Sequence, residues 1–349
     1  MNNYEKEVNF TRYQPGQKVG YYESFFQRAN HPTQPIAFWI RYTIFSPNNH
    51  PEDAVGELWA IFFDGETGSH VAVKKEVPFH RCIFWSDAFF VQVGDSSLEQ
   101  GRLKGNAASN GHTISWDLTY GGDEAPLFLL PLKRYTAKFP KAKSLVGLPK
   151  AVYNGSISVD GKRTEIENWV GSQNHNWGSR HTDLYAWGQV AGFDSHPDSF
   201  LEVASARLKV GPFWTPWVTP IVLRHQGNEI KINSLLQTVR AKSSFNYPGN
   251  GGKGFPVGLH FNWKFVSETE EIRLEGEISA PKEAFIGLNY RNPPGGNKHC
   301  LNSKIAACEL KIQHKQSGQW GPPEILFTKN RAAFEILTDA RDHGIEISA

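Results

Sequence analysis

The sequence predicts an all-β protein of two domains. Its 349 residues exceed what one compact core usually holds, since a domain commonly takes about 150 residues. The chain contains 11 Trp, 11 Tyr and 23 Phe, and aromatic side chains favour strands. It also contains 32 Gly and 21 Pro, the residues that turns most often require. Many strands joined by short turns are typical of β-barrels or β-sandwiches.

Alternation of apolar and polar side chains marks a first strong strand at 37–45. Phe38 and Tyr42 fall on one face of this predicted strand. Trp39 and Arg41 fall on the opposite face, because successive side chains of a strand point in opposite directions.

The same alternation predicts two later strands, at 259–265 and 271–278, joined by a polar turn at 267–270. We expect these strands to be half-buried neighbours. Weak helical patterns are confined to 140–145 and 330–340, and the second of these is equally compatible with a strand.

A weak internal repeat, which we call the echo, indicates where the two domains meet. The order of aromatic segments in 20–63 returns in 174–204, although few residues are identical. The echo places the boundary between Val152 and Trp169. We therefore predict an N-terminal domain over 1–160 and a C-terminal domain over 161–349.

Charge balance and apolar run length argue against two classes of partner. Lys and Arg number 37 and Asp and Glu number 35, so the chain lacks the basic excess of a nucleic-acid-binding protein. The longest apolar run, 125–132, is much shorter than the ~20 residues of a membrane-spanning helix. The first residues also lack the basic and then apolar pattern of a signal peptide. We expect a soluble, cytoplasmic protein without stable membrane insertion.

Cysteine and histidine spacing gives no sign of a metal centre. Cys82, Cys300 and Cys308 form no C-x-x-C pair. His175 and His181 have no third histidine at a familiar ligand spacing. We therefore expect neither a disulfide framework nor a metal site, and no cofactor.

Two patches of the chain carry a family resemblance. They are Asn174-His175-Asn176-Trp177-Gly178, followed by Leu184-Tyr185-Ala186-Trp187-Gly188, and the opening Gly20-Tyr21-Tyr22-Glu23-Ser24-Phe25-Phe26. These patches resemble the signatures of a lipocalin-like superfamily that groups AttH-type proteins, carotenoid 1,2-hydratase, tocopherol cyclases and fungal Diels–Alderase-like cyclases. The resemblance implies two tandem lipocalin-like antiparallel β-barrels, packed against each other, with an apolar pocket inside or between them. It leaves the reaction open among hydration, cyclisation and pericyclic chemistry.

Glu23 is the first candidate catalytic residue. At a period of two it shares a face with Tyr21 and Phe25, and an apolar wall raises the pKa of a carboxyl group. Such an acid could protonate a polyene or prenyl double bond, with tryptophan faces stabilising the resulting cation. The alternative is structural: Glu23 forms an ion pair with Arg41 and closes the barrel.

The cluster 174–177 is the second candidate. Asn174 and Asn176 share one face of a strand and could orient a carbonyl or hydroxyl group of a ligand. His175 points to the other face and could act as an acid or base near neutral pH. The alternative for the asparagines is again structural.

Trp177 admits a structural interpretation that the lipocalin resemblance favours. In lipocalins a Gly-x-Trp element packs the tryptophan over the end of the barrel, often against an arginine. Arg180 and Arg207 are available for that contact in this chain.

Taken with the resemblance, which implies such chemistry, these residues predict a cofactor-independent cyclase or hydratase. Its aromatic pocket would accept a hydrophobic small molecule of polyene, prenyl or polyketide type, by acid-assisted or pericyclic chemistry. The expected pocket walls are Tyr21, Trp39, Arg41, Trp177 and Trp187. The alternatives are a non-catalytic carrier of an apolar metabolite, and an interaction module whose pocket is filled by its own side chains.

Overall fold

The structure, a computed structural model, describes residues 7–246 and 260–349, and its regular structure is dominated by strands. The strands of the first half are β1 Tyr21–Asn30, β2 Ile36–Ser46, β3 Val55–Asp64, β4 Val71–Pro78, β5 Cys82–Phe84, β6 Phe90–Val93, β7 Ser96–Glu99, β8 Arg102–Ser109, β9 His112–Gly121, β10 Ala142–Val159 and β11 Lys162–Gly178. Those of the second half are β12 Leu184–Ala191, β13 Phe200–Arg207, β14 Lys209–Val210, β15 Phe213–Trp214, β16 Ile221–His225, β17 Asn228–Ile232, β18 Lys242–Asn246, β19 His260–Glu268, β20 Ile272–Pro281, β21 Ile286–Arg291, β22 Asn297–Gln316, β23 Gln319–Trp320 and β24 Glu324–Thr338. The helical elements are α1 Leu235–Arg240 and 3-10 turns at Pro51–Asp53, Phe79–Arg81, Leu132–Arg134 and Lys282–Ala284.

The first sheet contains β1 to β11 in the order β4-β3-β2-β1-β11-β10-β9-β8-β7-β6-β5, and all its pairs are antiparallel. The sheet curls on itself. The Tyr42 hydroxyl donates to the Ser97 carbonyl at 2.8 Å, which joins β2 to β7, and the Lys74 N–H donates to Ser109 Oγ at 3.0 Å, which joins β4 to β8. The enclosed interior is a core of packed side chains that includes Phe25, Phe38, Tyr42, Leu58, Trp116, Tyr153 and Trp169.

The second sheet has the order β17-β16-β13-β12-β24-β22-β20-β19-β18, with β21 also paired to β22. Its core continues onto the outer face of the first sheet, because Phe26, Trp39 and Trp59 belong to the same buried cluster as Trp187 and Trp263. Both faces of β1 and β2 are therefore covered, and every residue of these strands after the first is buried. The predicted all-β architecture of two lipocalin-like barrels packed against each other is confirmed.

Local sequence patterns predicted two strands correctly and one helix wrongly. The predicted neighbours at 259–265 and 271–278 are confirmed, since β19 and β20 pair antiparallel. The predicted helix at 140–145 is wrong, because Ala142 onward pairs with β11 as the start of β10. The ambiguous segment at 330–340 belongs mostly to β24, which pairs with β12 and β22. In both segments, pairing with distant strands decides the conformation.

The change from the first sheet to the second lies between Gly178 and Leu184. The predicted boundary at 160/161 coincides instead with the tip of the β10–β11 hairpin. Asp160 and Gly161 both have positive φ there, at 49° and 86°, as a two-residue hairpin turn requires. β11 therefore lies in the first sheet, where Tyr22 to Asn30 of β1 pair with it.

Residues 7–246 and 260–349 contain no helix with both the length and the apolar character needed to cross a bilayer.

Candidate active site

A cavity of about 510 Å³ lies between the outer face of the first sheet and the second sheet. This volume is within the range of small-molecule sites, which is about 300–1,000 Å³. Its walls are mainly apolar and aromatic. The residues from the first sheet include Tyr22, Phe26, Trp39, Arg41, Asn174 and Asn176, and those from the second include Tyr185, Trp187, Glu202, Ala204, Tyr290 and Glu335.

Strand alternation brings five of the predicted site residues to this cavity. Trp39 and Arg41 are two positions apart on β2, so their side chains lie on the same face. Asn174 and Asn176 have the same spacing on β11, and β1 lies between these two strands in the sheet. Trp187 of β12 approaches from the second sheet.

Glu202 places a carboxyl group in the wall of the cavity, and only 2% of this residue is exposed. Trp187 Nε1 donates to Glu202 Oε1 at 2.7 Å, and Gln189 Nε2 donates to Oε2 at 2.8 Å. Burial raises the pKa of Glu202 to about 7, although these hydrogen bonds and the charge of Arg28 act in the opposite direction. A large share of the carboxyl groups is therefore protonated near neutral pH.

Gln189 is held in one orientation by its neighbours. Its Oε1 accepts hydrogen bonds from Arg28 Nε and Ser172 Oγ, both at 2.7 Å. Its Nε2 must therefore face Glu202 and Asn174, and it donates to Asn174 Oδ1 at 2.9 Å. These hydrogen bonds link Asn174, which the sequence predicted as a site residue, to Glu202, an acid that the sequence analysis missed. The signal for that acid is a lone glutamate within the apolar segment 200–204.

The cavity wall contains a second carboxyl group, that of Glu335, which forms an ion pair with Lys304. Lys304 Nζ lies 2.8 Å from Glu335 Oε1, and Asn302 Nδ2 donates to the same oxygen at 3.0 Å. The Lys304 ammonium group also lies 5.4 Å from the Trp187 ring centroid. Glu335 thus has a basic side chain as a direct partner, in contrast to Glu202.

Two buried N–H donors belong to residues of the cavity wall and have no hydrogen-bond partner within the part of the chain that the structure describes. They are Arg41 Nε and Trp39 Nε1. Arg41 uses Nη2 to donate to Ser24 Oγ at 2.6 Å, and its guanidinium lies 4.6 Å from the Tyr290 ring centroid. A buried donor without a partner is unfavourable by about 1–3 kcal/mol. A polar ligand in the cavity could supply acceptor oxygens for such donors.

His181 supplies a neutral imidazole to the wall near Arg41. Its ring stacks on Tyr22 and Tyr290, with centroids 4.0 and 5.6 Å away. Burial, followed by the charge of Arg41, lowers the pKa of His181 to about 3. This histidine therefore stays uncharged at neutral pH and does not serve as an acid.

Glu23 and His175 lie at one end of the first barrel and do not line the cavity. The Glu23 carboxylate accepts the backbone N–H groups of Arg12 and Tyr13, each at 2.8 Å. Its Oε1 also lies 2.8 Å from His175 Nε2, so the side chain that Glu23 contacts is His175 and not Arg41, and burial lowers the pKa of that histidine. These contacts hold the N-terminal segment across the barrel, and we call this region the closed end.

Trp177 belongs to the same closed end. The Arg12 guanidinium stacks over the Trp177 ring at 3.9 Å, so the expected arginine contact exists but is made by neither Arg180 nor Arg207. Tyr21 packs nearby with Tyr13, at a centroid distance of 6.1 Å, and it does not line the cavity either. The predicted site residues are therefore divided between the cavity and the closed end.

Possible metal ligands are dispersed in the described ranges. His175 contacts Glu23, whereas His181 stacks in the cavity wall. Within 7–246 and 260–349, one group brings three potential ligand atoms within 4.8 Å of one another, namely His50, Glu52 and Asp53. All three residues are exposed and lie outside the cavity wall.

Comparison with known proteins bears on the fold. No protein-family model matches the sequence. Two curated relatives, both named as uncharacterised proteins of Mycobacterium tuberculosis, are 20% identical over 296 residues, which cover 84% of this chain and 82% of each relative. An AttH-like protein of Nitrosomonas europaea superposes with a TM-score of 0.55 at 13% identity, covering 92% of both chains. The chain has the AttH-type, lipocalin-like fold.

A second solved structure shares this AttH-type fold. Kievitone hydratase from Nectria haematococca superposes with a TM-score of 0.55 at 12% identity, covering 94% of this chain and 91% of the hydratase. The resemblance expected from 20–26 and 174–188 is therefore confirmed in three dimensions. At such low identity the likeness concerns the fold, and the chemistry must follow from the cavity of this chain.

Proposed function

We propose that this protein is a cofactor-independent hydratase or cyclase for a hydrophobic polyene, prenyl or polyketide-type molecule bound in the cavity. The observation that carries the proposal is the Glu202 carboxyl, which is buried in an aromatic wall and has a pKa of about 7. A general acid is most effective when its pKa is near the working pH. The AttH-type fold, which a known hydratase shares, supports this assignment.

In the proposed reaction, neutral Glu202 transfers its proton to one carbon of a substrate double bond. A carbocation forms on the neighbouring carbon, and the faces of Trp39 and Trp187 stabilise it by about 0.5–2 kcal/mol each. Either a water molecule or a second double bond of the substrate then attacks the cation. Attack by water leaves an oxonium ion, and attack by a double bond leaves a second carbocation. Either cation then loses a proton, which returns to the Glu202 carboxylate that the Trp187 and Gln189 N–H groups stabilise meanwhile.

The substrate should carry an oxygen at one end. The unpartnered donors Arg41 Nε and Trp39 Nε1 would bind a carbonyl, hydroxyl or carboxylate oxygen. Asn174 and Asn176 would orient the same end of the molecule. The remaining apolar wall would hold the hydrocarbon part.

The test is Glu202→Gln, assayed with prenylated phenols and linear polyene acids and analysed by liquid chromatography with mass spectrometry. Hydration adds the mass of water, and cyclisation gives an isomer of different retention. We expect the wild type to convert at least one compound and the variant to be slower by about a hundredfold or more. Affinity, followed by tryptophan quenching, should change little.

Three outcomes would contradict this proposal. Conversion at an unchanged rate in Glu202→Gln would indicate pericyclic chemistry, which needs shape and hydrogen bonds but no acid. Loss of conversion in folded Glu23→Gln, with Glu202→Gln active, would assign the acid to Glu23. Tight binding of compounds that are recovered unaltered would indicate a carrier.

A further inference from the structure

Exposed apolar side chains are concentrated around the mouth of the cavity. Thirteen large hydrophobic residues are exposed within the described parts of the chain, and eight of them lie in the segments 129–143, 207–216 and 233–242. Phe213 is 75% exposed and Leu235 is 64% exposed. The full set is Leu132, Phe139, Val210, Phe213, Trp214, Leu235, Leu236 and Val239.

We call the three segments together the rim, because all of them border the same cavity. Each of them contributes to the cavity wall, through Phe139, Thr215 and Leu235 among others. Asn233 Nδ2 donates to the Leu129 carbonyl at 3.0 Å, which ties the third segment to the first. The exposed apolar side chains therefore lie in segments that line the cavity, and Phe139, Leu235 and Val239 line it themselves.

The rim also carries charge of one sign. Its segments contain nine Lys and Arg residues and no Asp or Glu, although acidic and basic residues are nearly balanced over the whole chain. The nine are Lys133, Arg134, Lys138, Lys141, Lys143, Arg207, Lys209, Arg240 and Lys242. Segments that expose apolar side chains and carry basic but no acidic residues are complementary to an anionic lipid headgroup layer above hydrocarbon.

We propose that the rim docks the protein on anionic lipid membranes as a peripheral protein. Phe213, Trp214 and Leu235 enter the interfacial layer, and the basic side chains contact lipid phosphates. This orientation turns the mouth of the cavity toward the bilayer, so an apolar ligand passes between lipid and protein without crossing water. The inference depends on the surface alone and holds whether or not the cavity performs the proposed reaction.

The experiment is co-sedimentation of the full chain with vesicles. We expect binding to vesicles of equal parts phosphatidylcholine and phosphatidylglycerol, weaker binding to phosphatidylcholine alone, and loss of binding at high salt. Equal binding to both vesicle types, or no binding to either at low salt, would overturn the proposal.

Matched variants locate the contact. The double variant Phe213→Ser with Trp214→Ser should bind anionic vesicles about tenfold or more weakly, because two interfacial anchors are lost. The control is Ile325→Ser with Phe327→Ser, which removes two exposed apolar side chains outside the rim and should bind as the wild type does. Equal binding by the two variants, at equal melting temperature, would exclude the rim. A wild-type dimer in sedimentation that the first variant dissociates would identify the rim as a self-association surface instead.

Discussion

Burial of the Glu202 carboxyl makes the stability of the protein depend on pH. The folded pKa of about 7 lies above the ordinary value of 4.5, so the native state binds this proton more tightly than the unfolded state does. The contribution of Glu202 to stability is fully present below about pH 4.5 and is lost as the pH rises through 7. Between these two pH limits, the contribution of Glu202 to the free energy of unfolding changes by on the order of 3 kcal/mol.

The variant Glu202→Gln should remove this dependence, because glutamine does not titrate. We expect the free energy of unfolding of the variant minus that of the wild type to be larger at about pH 8 than at about pH 5, so that the variant is relatively more stable at the higher pH. Urea denaturation of both proteins at the two pH values measures the difference. Parallel pH profiles would show that Glu202 is not titrating in this range.

Glu202 and Glu23 show what the sequence cannot distinguish. Both are single acids among apolar strand residues, and both are buried. Alternation correctly placed Trp39 and Arg41 on one face of β2. Which acid meets a cavity, however, depends on what packs over each strand: for Glu23 it is the N-terminal segment, which donates backbone N–H groups to it. That contact joins residues that lie 10 and 11 positions apart in the sequence, and it leaves no local pattern.

The pairing of β1 with β11 depends on a close approach of two backbones at Gly171. Gly171 lies opposite Ala29, and a Cβ atom at this position would overlap the Arg28 carbonyl oxygen and the Ala29 Cα. Backbone atoms held in a sheet cannot move aside as a flexible side chain would. We expect Gly171→Ala to lower the free energy of unfolding by more than about 2 kcal/mol, measured by urea denaturation.

The matched control is Gly121→Ala, at the end of β9. A Cβ atom there would have no heavy atom within 4 Å, so its effect should stay within about 0.5 kcal/mol. Similar losses in the two variants would show that β-propensity, and not the close approach, sets the result.

Strand signals in this chain are strongest where one face is polar. The alternation at 259–265 and 271–278 was sufficient to predict two strands, because β19 and β20 alternate buried and more exposed residues along most of their length. The start of β10 lacks such alternation, since residues on both of its faces are wholly or partly buried. The position of the cavity was beyond sequence reasoning for a related reason: it depends on how one sheet lies on another.

The two barrels should unfold together, because they share a buried cluster. Phe26, Trp39 and Trp59 of the first sheet are buried in the same cluster as the interior of the second. Arg28 is fully buried and donates to Gln189 of the second sheet at 2.7 Å, so separating the sheets would leave its charge without that partner. We expect urea unfolding curves from tryptophan fluorescence and from far-ultraviolet circular dichroism to coincide in one transition. Two separated transitions would show that one barrel stays folded after the other has unfolded, and that the shared cluster does not couple them.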